Sequence, residues 1–479
     1  MEYTPTIGLE IHAELKTNTK MFCNSKNDPD EKHPNINICP VCLAHPGTLP
    51  VINRQAVKQV LMVGLALGSK LADFTEFDRK NYFYPDIPKN YQISQYEFPL
   101  VSGGELNGVE VTRVHLEEDT ARSTHTMDAE HSLVDFNRAG IPLMELVTEP
   151  VVKDSKQAGD FARELQLLLR TLGVSNANME KGEMRVEANV SVSKTSTFGT
   201  KVEVKNINSF KAVEKAIEYE IKRQIKVLEG GGNVIQETRG WDENKQTTFS
   251  QRSKEGAADY RYFPDPDLPK LKISEVEDFA ASALRELMPM LPEELRVTYK
   301  ERFAIKEEDI EVYVVDRVLG KFFEDVVSSF TNDGVDIEKK MQLASNYITN
   351  NLVTLRDTLD SHVTEHLDPA SFATVINEVY VGEISSNAVV EIITELASRE
   401  GASAKVDELI DARRQKNDAN ELIKVVAEVI SANESVAQEY RDGKEASLRF
   451  LVGQCMKATA GKANPAKLQE ILKRELTQV

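Results

Sequence analysis

The sequence predicts a mixed domain of strands and helices, of the α/β or α+β class, followed by an all-helical region. Two patterns and a break between them lead there. Over the first ~270 residues, segments of alternating apolar residues are interleaved with segments in which apolar residues recur every three or four positions, and turns rich in Pro, Gly, Asn and Asp separate them. The Pro-rich passage Phe263-Pro264-Asp265-Pro266-Asp267-Leu268-Pro269, followed by Pro289 and Pro292, marks the exit. Beyond it, apolar stripes, abundant Glu and Lys, and scarce Pro, Gly and aromatic residues predict helices. We draw domains at 1–293, 294–405 and 406–479, the last a smaller helical tail.

The first strand covers residues 9 to 15, with Leu9, Ile11, Ala13 and Leu15 on one face and Glu10, His12 and Glu14 on the other. A helix follows Asn53, where Ala56, Val57, Val60, Leu61, Gly64 and Leu67 share a face and Gly68 stands where a C-cap would. The next strand, Val111 to Glu118, ends in the acids Glu117, Glu118 and Asp119. Asp154 and Gln157 resemble a capping box, opening a helix with Ala158, Phe161, Leu165, Leu168 and Leu172 as its stripe and Gly173 at its end. Two strands come next. Residues 185 to 192 set Arg185, Glu187, Asn189 and Ser191 opposite Val186, Ala188, Val190 and Val192, while residues 201 to 205 set Lys201, Glu203 and Lys205 opposite Val202 and Val204. A third helix follows Asn208 and Ser209, with Phe210, Val213, Ile217 and Ile221 on one face. Gly230-Gly231-Gly232 lacks the Lys-Ser/Thr of a phosphate loop and reads as a turn.

At 479 residues the chain exceeds what one core supports. Its 58 Lys and Arg against 77 Asp and Glu, a net charge of -19, would repel a nucleic acid over most of the surface, so any such contact needs a local basic patch. One lies near the C-terminus, where Arg441, Lys444, Arg449, Lys457, Lys462, Lys467, Lys473 and Arg474 outnumber the acids. It suits either a solvated helical face or a nucleic-acid backbone. The longest apolar run, around Val60 to Leu67, is too short to span a membrane, and no signal segment opens the chain, so a cytoplasmic protein is expected.

Carboxylates and an imidazole on one strand face suit either solvent or a hard cation such as Mg2+. The recurrence of Glu118, Glu187 and Glu203 beside Arg185, Lys201 and Lys205 favours a nucleotide cavity, in which cations neutralise phosphate while acids hold metal. Cys39 and Cys42 have the spacing of a zinc knuckle, with Cys23 upstream, and His33 or His45 would be the fourth ligand. The alternative is a metal-free knuckle. The segments Arg79 to Asp86 and Arg261-Tyr262-Phe263 mix basic and aromatic residues, which can hold phosphate and stack a base.

Eight stretches together resemble one family: GLEIHAEL from Gly8, CPVCLAHPGTLP from Cys39, RKNYFYPDIPKNYQISQ from Arg79, HLEED from His115, DFNRAGIPLMELVTEP from Asp135, VKNINSF from Val204, DYRYFPDPDL from Asp259 and FLVGQCMKATAGKANP from Phe450. The chain is similar to the GatB/GatE family, the B-type subunits of aspartyl/glutamyl-tRNA(Asn/Gln) amidotransferases. That resemblance implies an N-terminal cradle on an antiparallel sheet, related in design to glutamine synthetase, then a helical domain and a YqeY-like tail. It implies that ATP phosphorylates the side-chain carboxylate of Glu-tRNA(Gln) or Asp-tRNA(Asn) and that ammonia displaces the phosphate. Ammonia would come through a channel from an amidase-type partner that hydrolyses glutamine, with a small third subunit joining the two.

Carried over by residue, the resemblance makes Glu10, His12, Glu118 and Glu203 metal ligands, with Glu149 and Glu187 as further candidates. Lys205 and Arg185 would neutralise phosphate, with Lys201 and Arg261 also on the nucleotide, while Lys457, Lys462 and Arg449 would hold tRNA. The cofactors implied are ATP and Mg2+, with zinc at Cys23, Cys39 and Cys42 in question because Ser25 stands where many relatives have a cysteine. Relatives also commonly carry Cys-Asp where this chain has Val186-Glu187. A noncatalytic tRNA-binding scaffold is the competing reading. A free-standing ligase for a small carboxylate is a third, against which the basic tail argues.

Overall fold

The computed structural model describes residues 2–124, 131–253, 260–330, 336–358, 367–398, 405–414, 419–459 and 463–477. The chain divides into two compact units, Met1–Pro292 and Glu293–Val479.

The strands of the first unit are β1 (Thr4–Glu14), β2 (Lys70–Leu71), β3 (Phe74–Thr75), β4 (Asp78–Asn81), β5 (Tyr91–Ser94), β6 (Val101–Ser102), β7 (Glu105–Leu106), β8 (Val109–Glu118), β9 (Arg122–Thr124), β10 (Leu133–Asp135), β11 (Pro142–Thr148), β12 (Met184–Ser193), β13 (Val202–Ile207), β14 (Glu237–Asp242), β15 (Thr247–Ser253), β16 (Phe263–Pro264) and β17 (Leu271–Lys272). Ten of them form one sheet in the order β15-β14-β13-β12-β1-β11-β8-β6-β2, with β7 beside β8. The long strands β8, β11, β1 and β12 at its centre are antiparallel neighbours. The sheet is mixed where an antiparallel one was expected, because β13 and β14 run parallel. A helix carries the chain from the end of one to the start of the other, and such a crossover returns it in the same direction.

The three predicted helices form, each beginning directly after the residue at which it was expected, and Asp154 caps the second as predicted. In α1 (Arg54–Ala66), Asn53 accepts from the backbone N–H of Gln55 and Ala56, and Gly68 follows the helix at φ +65°. In α2 (Ser155–Thr171), Asp154 accepts from Gln157 N–H at 2.8 Å while the Gln157 side chain accepts from Lys153 N–H at 3.0 Å. In α3 (Phe210–Glu229), Ser209 caps through Ala212 N–H, and the three glycines close the helix as a turn. All three helices pack on the apolar face of the sheet, where Ile7, Leu9, Ile11, Val114, Leu116, Leu146, Val186, Ala188 and Val190 form one core with their stripes. Each such aliphatic side chain gains about 1.5–3 kcal/mol from burial, which fixes the strand register and turns the intervening polar residues to the opposite face.

Gly64 shows how close this packing is. A Cβ there would lie 2.6 Å from Val101 Cγ2 and 2.8 Å from Leu71 Cδ2. Gly64→Ala is therefore expected to cost about 1–3 kcal/mol despite the better helix propensity of alanine, read as a lower urea midpoint.

The regular elements of the second unit among its described residues are all helices, with one isolated β-bridge between Ile384 and Arg414. Its last helices, Ala419–Ala432, Glu434–Arg441, Ala446–Ala458 and Pro465–Thr477, share a core of Leu422, Val426, Leu448, Leu451, Cys455, Leu468 and Leu472. No helix among the described residues is long and apolar enough to cross a membrane.

Candidate active site

The polar face of the central strands lines a cavity of about 550 Å³. Sheet register assembles it in rows. His115 of β8 stands opposite Glu145 of β11, Glu145 opposite His12 of β1, and His12 opposite Arg185 of β12. One row along, Glu10 faces Glu187, and a further row sets Asn189 against Glu203.

Two groups of ligand atoms result, each within 4.8 Å of one another: Glu10, Glu187 and Glu203, and His12, Glu117 and Glu145. In the first, Asn189 Nδ2 donates to Glu10 Oε1 at 2.7 Å and Thr238 Oγ1 donates to Glu203 Oε2 at 2.8 Å. Lys205 Nζ lies 2.8 Å from Glu187 and 3.7 Å from Glu203. Three carboxylates against one ammonium leave two net negative charges among oxygen ligands, which fits a divalent hard cation. In the second group two imidazoles converge on Glu145, its own His12 through Nε2 at 3.3 Å and the neighbouring His115 through Nε2 at 3.4 Å. Burial disfavours the charged form of His12, but the hydrogen bond to Glu145 and the charges of Glu145, Glu187 and Glu117 outweigh it and raise its pKa to about 9. Burial likewise opposes the Glu145 carboxylate, and the two imidazoles hold its pKa well below the usual range. The Nδ1 atoms of His12 and His115 are buried without a protein partner.

At the end of the cavity Arg138 binds Glu14 at 2.8 Å and Asp119 at 2.7 Å, and Arg185 Nη2 reaches Asp119 Oδ1 at 3.3 Å. Burial and the Asp119 charge push the Glu14 carboxyl up to about 8, against the opposing pull of Arg138 and Arg185. Its folded form thus holds a proton that the unfolded chain has released, and stability falls as pH rises from the ordinary carboxylate range to about 8. Glu14→Gln is expected to flatten that fall, measured by urea unfolding across the window.

The aromatic wall is Tyr82, Tyr96, Tyr260 and Tyr262, in which Tyr96 and Tyr262 stack at 4.3 Å and Lys80 Nζ lies 5.3 Å from the Tyr260 ring centre. Arg79 ties this wall to the Pro-rich exit through Asp265 at 2.8 Å and Asp267 at 3.0 Å.

Of the residues singled out in the sequence, Glu10, His12, Arg185, Glu187, Glu203 and Lys205 meet in this cavity. Glu118 does not. Its side chain leaves the other face of β8, where it accepts from Lys89 Nζ at 2.7 Å and from Ile93 N–H at 3.0 Å. Glu149 accepts from Thr112 Oγ1 at 2.8 Å and does not line the cavity. Lys201 is exposed just ahead of β13, and Arg261 is exposed with its carbonyl held by Asn81. Lys457 and Arg449 are exposed on the helix Ala446–Ala458, in the second unit, while Lys462 lies outside the described residues. Sequence reasoning missed Glu145, a single acid in the apolar run Leu143 to Val147, and it passed over Glu117 and His115, although both share the parity of Arg113 on β8.

The sulfurs of Cys23, Cys39 and Cys42 lie within 4.8 Å of one another, a spacing that fits three thiolates on one zinc. No histidine joins them among the described residues. His33 is exposed and paired with Glu31, and His45 is exposed on a neighbouring cavity of about 250 Å³. Ser25 Oγ and the fully buried Lys20 Nζ each lie 3.8 Å from Cys42 Sγ. A hydrogen bond with Cys23 holds the Cys42 thiol far below the usual thiol range against the effect of burial, with Lys20 and the Cys39 N–H adding to it. The Cys23 thiol is raised correspondingly.

Comparison with known proteins accounts for nearly the whole chain. Residues 5–277 match the family model described as the GatB/GatE catalytic domain, and residues 321–476 match the GatB domain. Proteins named as the B subunit of aspartyl/glutamyl-tRNA(Asn/Gln) amidotransferase are similar end to end. The one from Moorella thermoacetica is 43% identical, covering 99% of this chain and 100% of its own. Those from Crocosphaera subtropica and Carboxydothermus hydrogenoformans are each 40% identical, covering 99% and 100% of this chain and 98% and 100% of their own. With its catalytic-domain match lying over the strands that build the cavity, the chain belongs to the GatB/GatE family.

Proposed function

We propose that this chain amidates misacylated tRNA at the expense of ATP, in a glutamine-dependent cytoplasmic complex with an amidase-type glutaminase partner and a small third subunit. The observation that carries the reading is the cavity in which two clusters of metal-ligating side chains and four Lys and Arg side chains stand together. A carboxylate is a poor electrophile until one oxygen becomes a phosphate leaving group. An oxygen of the Glu-tRNA(Gln) or Asp-tRNA(Asn) side chain attacks the terminal phosphorus of ATP, ADP leaves, and ammonia then attacks the acyl carbon and expels phosphate.

Glu10, Glu187 and Glu203, with Glu117, Glu145 and His12 once it has released its proton, would hold Mg2+. When bound, the metal supplies charge neutralisation for the nucleotide phosphates. Lys205, between Glu187 and Glu203, and Arg185, held by Asp119, offer positive charge to phosphoryl oxygens. The tyrosine wall gives a purine ring a stacking surface. We read the polar-faced sheet as a cradle of glutamine synthetase-like design spanning 1–293, followed by a helical domain at 294–405. The tail at 406–479 is YqeY-like, with Lys457 and Arg449 available to the tRNA backbone.

Ammonia has a route that the cavities support. The space beside the cysteines and a narrow one next to it share Cys42, Lys89, Tyr91, Glu118 and Gly140, and the narrow space shares Gln92, Asp119 and Thr120 with the main cavity. The three thiols flank its outer end and suit zinc as a structural ion, with the Lys20 ammonium balancing the excess thiolate charge. The test is the reconstituted complex supplied with ATP, glutamine and each misacylated tRNA in turn. Gln-tRNA(Gln) or Asn-tRNA(Asn) with matching ADP is expected, and failure with both substrates would sink the reading.

A further inference from the structure

Three of the four Lys and Arg side chains lining the main cavity are already engaged. Arg185 is tied to Asp119, Lys205 to Glu187 and Glu203, and Lys80 lies over the Tyr260 ring. The fourth, Arg113, differs. It projects from β8 on the same face as His115 and Glu117, half-buried, and makes no ion pair with any described residue. Its Nε is buried and has no hydrogen-bond partner. Sheet register sets Val147 across from it on one side and Ser102 on the other, neither of which offers a charge. A buried guanidinium nitrogen without an acceptor costs free energy, so its presence here needs a reason outside the fold.

Position supplies that reason. Arg113 stands in the row of Val147, Glu10 and Glu187, with the Glu10 carboxylate group on one side of it along the sheet and the His115–Glu145 pair two residues on. The acids of the cavity repel an anionic substrate from its middle, and the engaged cations on β12 and β13 leave the β8 side with one free planar fork. A guanidinium edge matches two oxygens of a carboxylate or phosphate, a geometry an ammonium cannot reproduce. We infer that Arg113 anchors a substrate oxyanion through its cavity-lining guanidinium, either a phosphate of the nucleotide or the side-chain carboxylate of the aminoacyl group. The inference rests on the amidation reading and adds to it a binding residue.

The test uses the complete complex carrying Arg113→Lys, which keeps the charge and removes the fork, and Arg113→Ala, with ethylguanidinium added back to the latter. In both variants one substrate's KM is expected to rise about tenfold or more with a smaller change in kcat, and ethylguanidinium to restore part of the Ala variant's activity. A rise in the KM for ATP assigns the phosphate, and a rise in the KM for misacylated tRNA assigns the carboxylate. The Lys variant keeps the test open should the Ala variant not fold. Unchanged KM values for both substrates, or a loss confined to kcat without rescue, overturn the anchor. If the wild-type complex forms no ADP with either misacylated tRNA, the amidation reading itself has failed. If it does and the variants match it, only the Arg113 assignment falls.

Discussion

Glu10→Gln is expected to cut tRNA-dependent ADP formation by about 100-fold or more, since even residues that only orient metal ligands cost about 10- to 100-fold when changed. The substitution keeps the shape of the side chain and a hydrogen-bonding oxygen for Asn189 Nδ2, while removing one of the three charges that Glu10, Glu187 and Glu203 gather. Raised Mg2+ should recover part of the loss, because the deficit is in cation affinity. ADP release at the wild-type rate from the Glu10→Gln complex would instead make this chain a tRNA-holding scaffold and put the phosphoryl transfer elsewhere.

Asp119→Ala is expected to cost about 3–5 kcal/mol, the range for stripping one member from a buried ion-pair network. Asp119 is almost fully buried and receives both Arg138 and Arg185, whose positive charges hold its carboxyl below the ordinary value against the effect of burial. Because the folded pKa is depressed, this stabilisation is present above the unfolded value and disappears as pH falls through the folded one. Asp119→Asn leaves the same two cations short of a charge and should show most of the loss, whereas Asp119→Glu should recover part of it. Differential scanning calorimetry near neutral pH reads the ranking, and a wild-type unfolding temperature for Asp119→Ala would contradict it.

Much of the cavity was legible because a strand repeats every two residues. Once Ile11, Val186 and Val204 are assigned to a core, Glu10, His12, Arg185, Glu187, Glu203 and Lys205 must emerge on the other side. The same rule, applied strictly, separates Glu117 from Glu118, and the cluster Glu117-Glu118-Asp119 hid it by offering acids at both parities. Glu145 was hidden for a different reason. The apolar residues around it, Leu143, Met144 and Leu146, are all buried, so the run reads as a strand covered on both faces and its one charge as an anomaly. The parallel β13–β14 pair was beyond reach, since strand direction depends on where α3 lands on the sheet and not on any local pattern.

Strand β8 also sets a rule for how such a chain can change over time. It is a septum one residue thick, with imidazole, guanidinium and Glu117 on the substrate side and Glu118 with its lysine partner on the other. Inserting or deleting a single residue between Arg113 and Leu116, where the pairing with β11 is regular, would exchange the two compartments' side chains while leaving composition and charge almost untouched. A point substitution in this stretch changes one side chain on one face, whereas a change of length displaces every side chain beyond it. The historical record of such a family should therefore show its insertions and deletions displaced into the turns that flank β8.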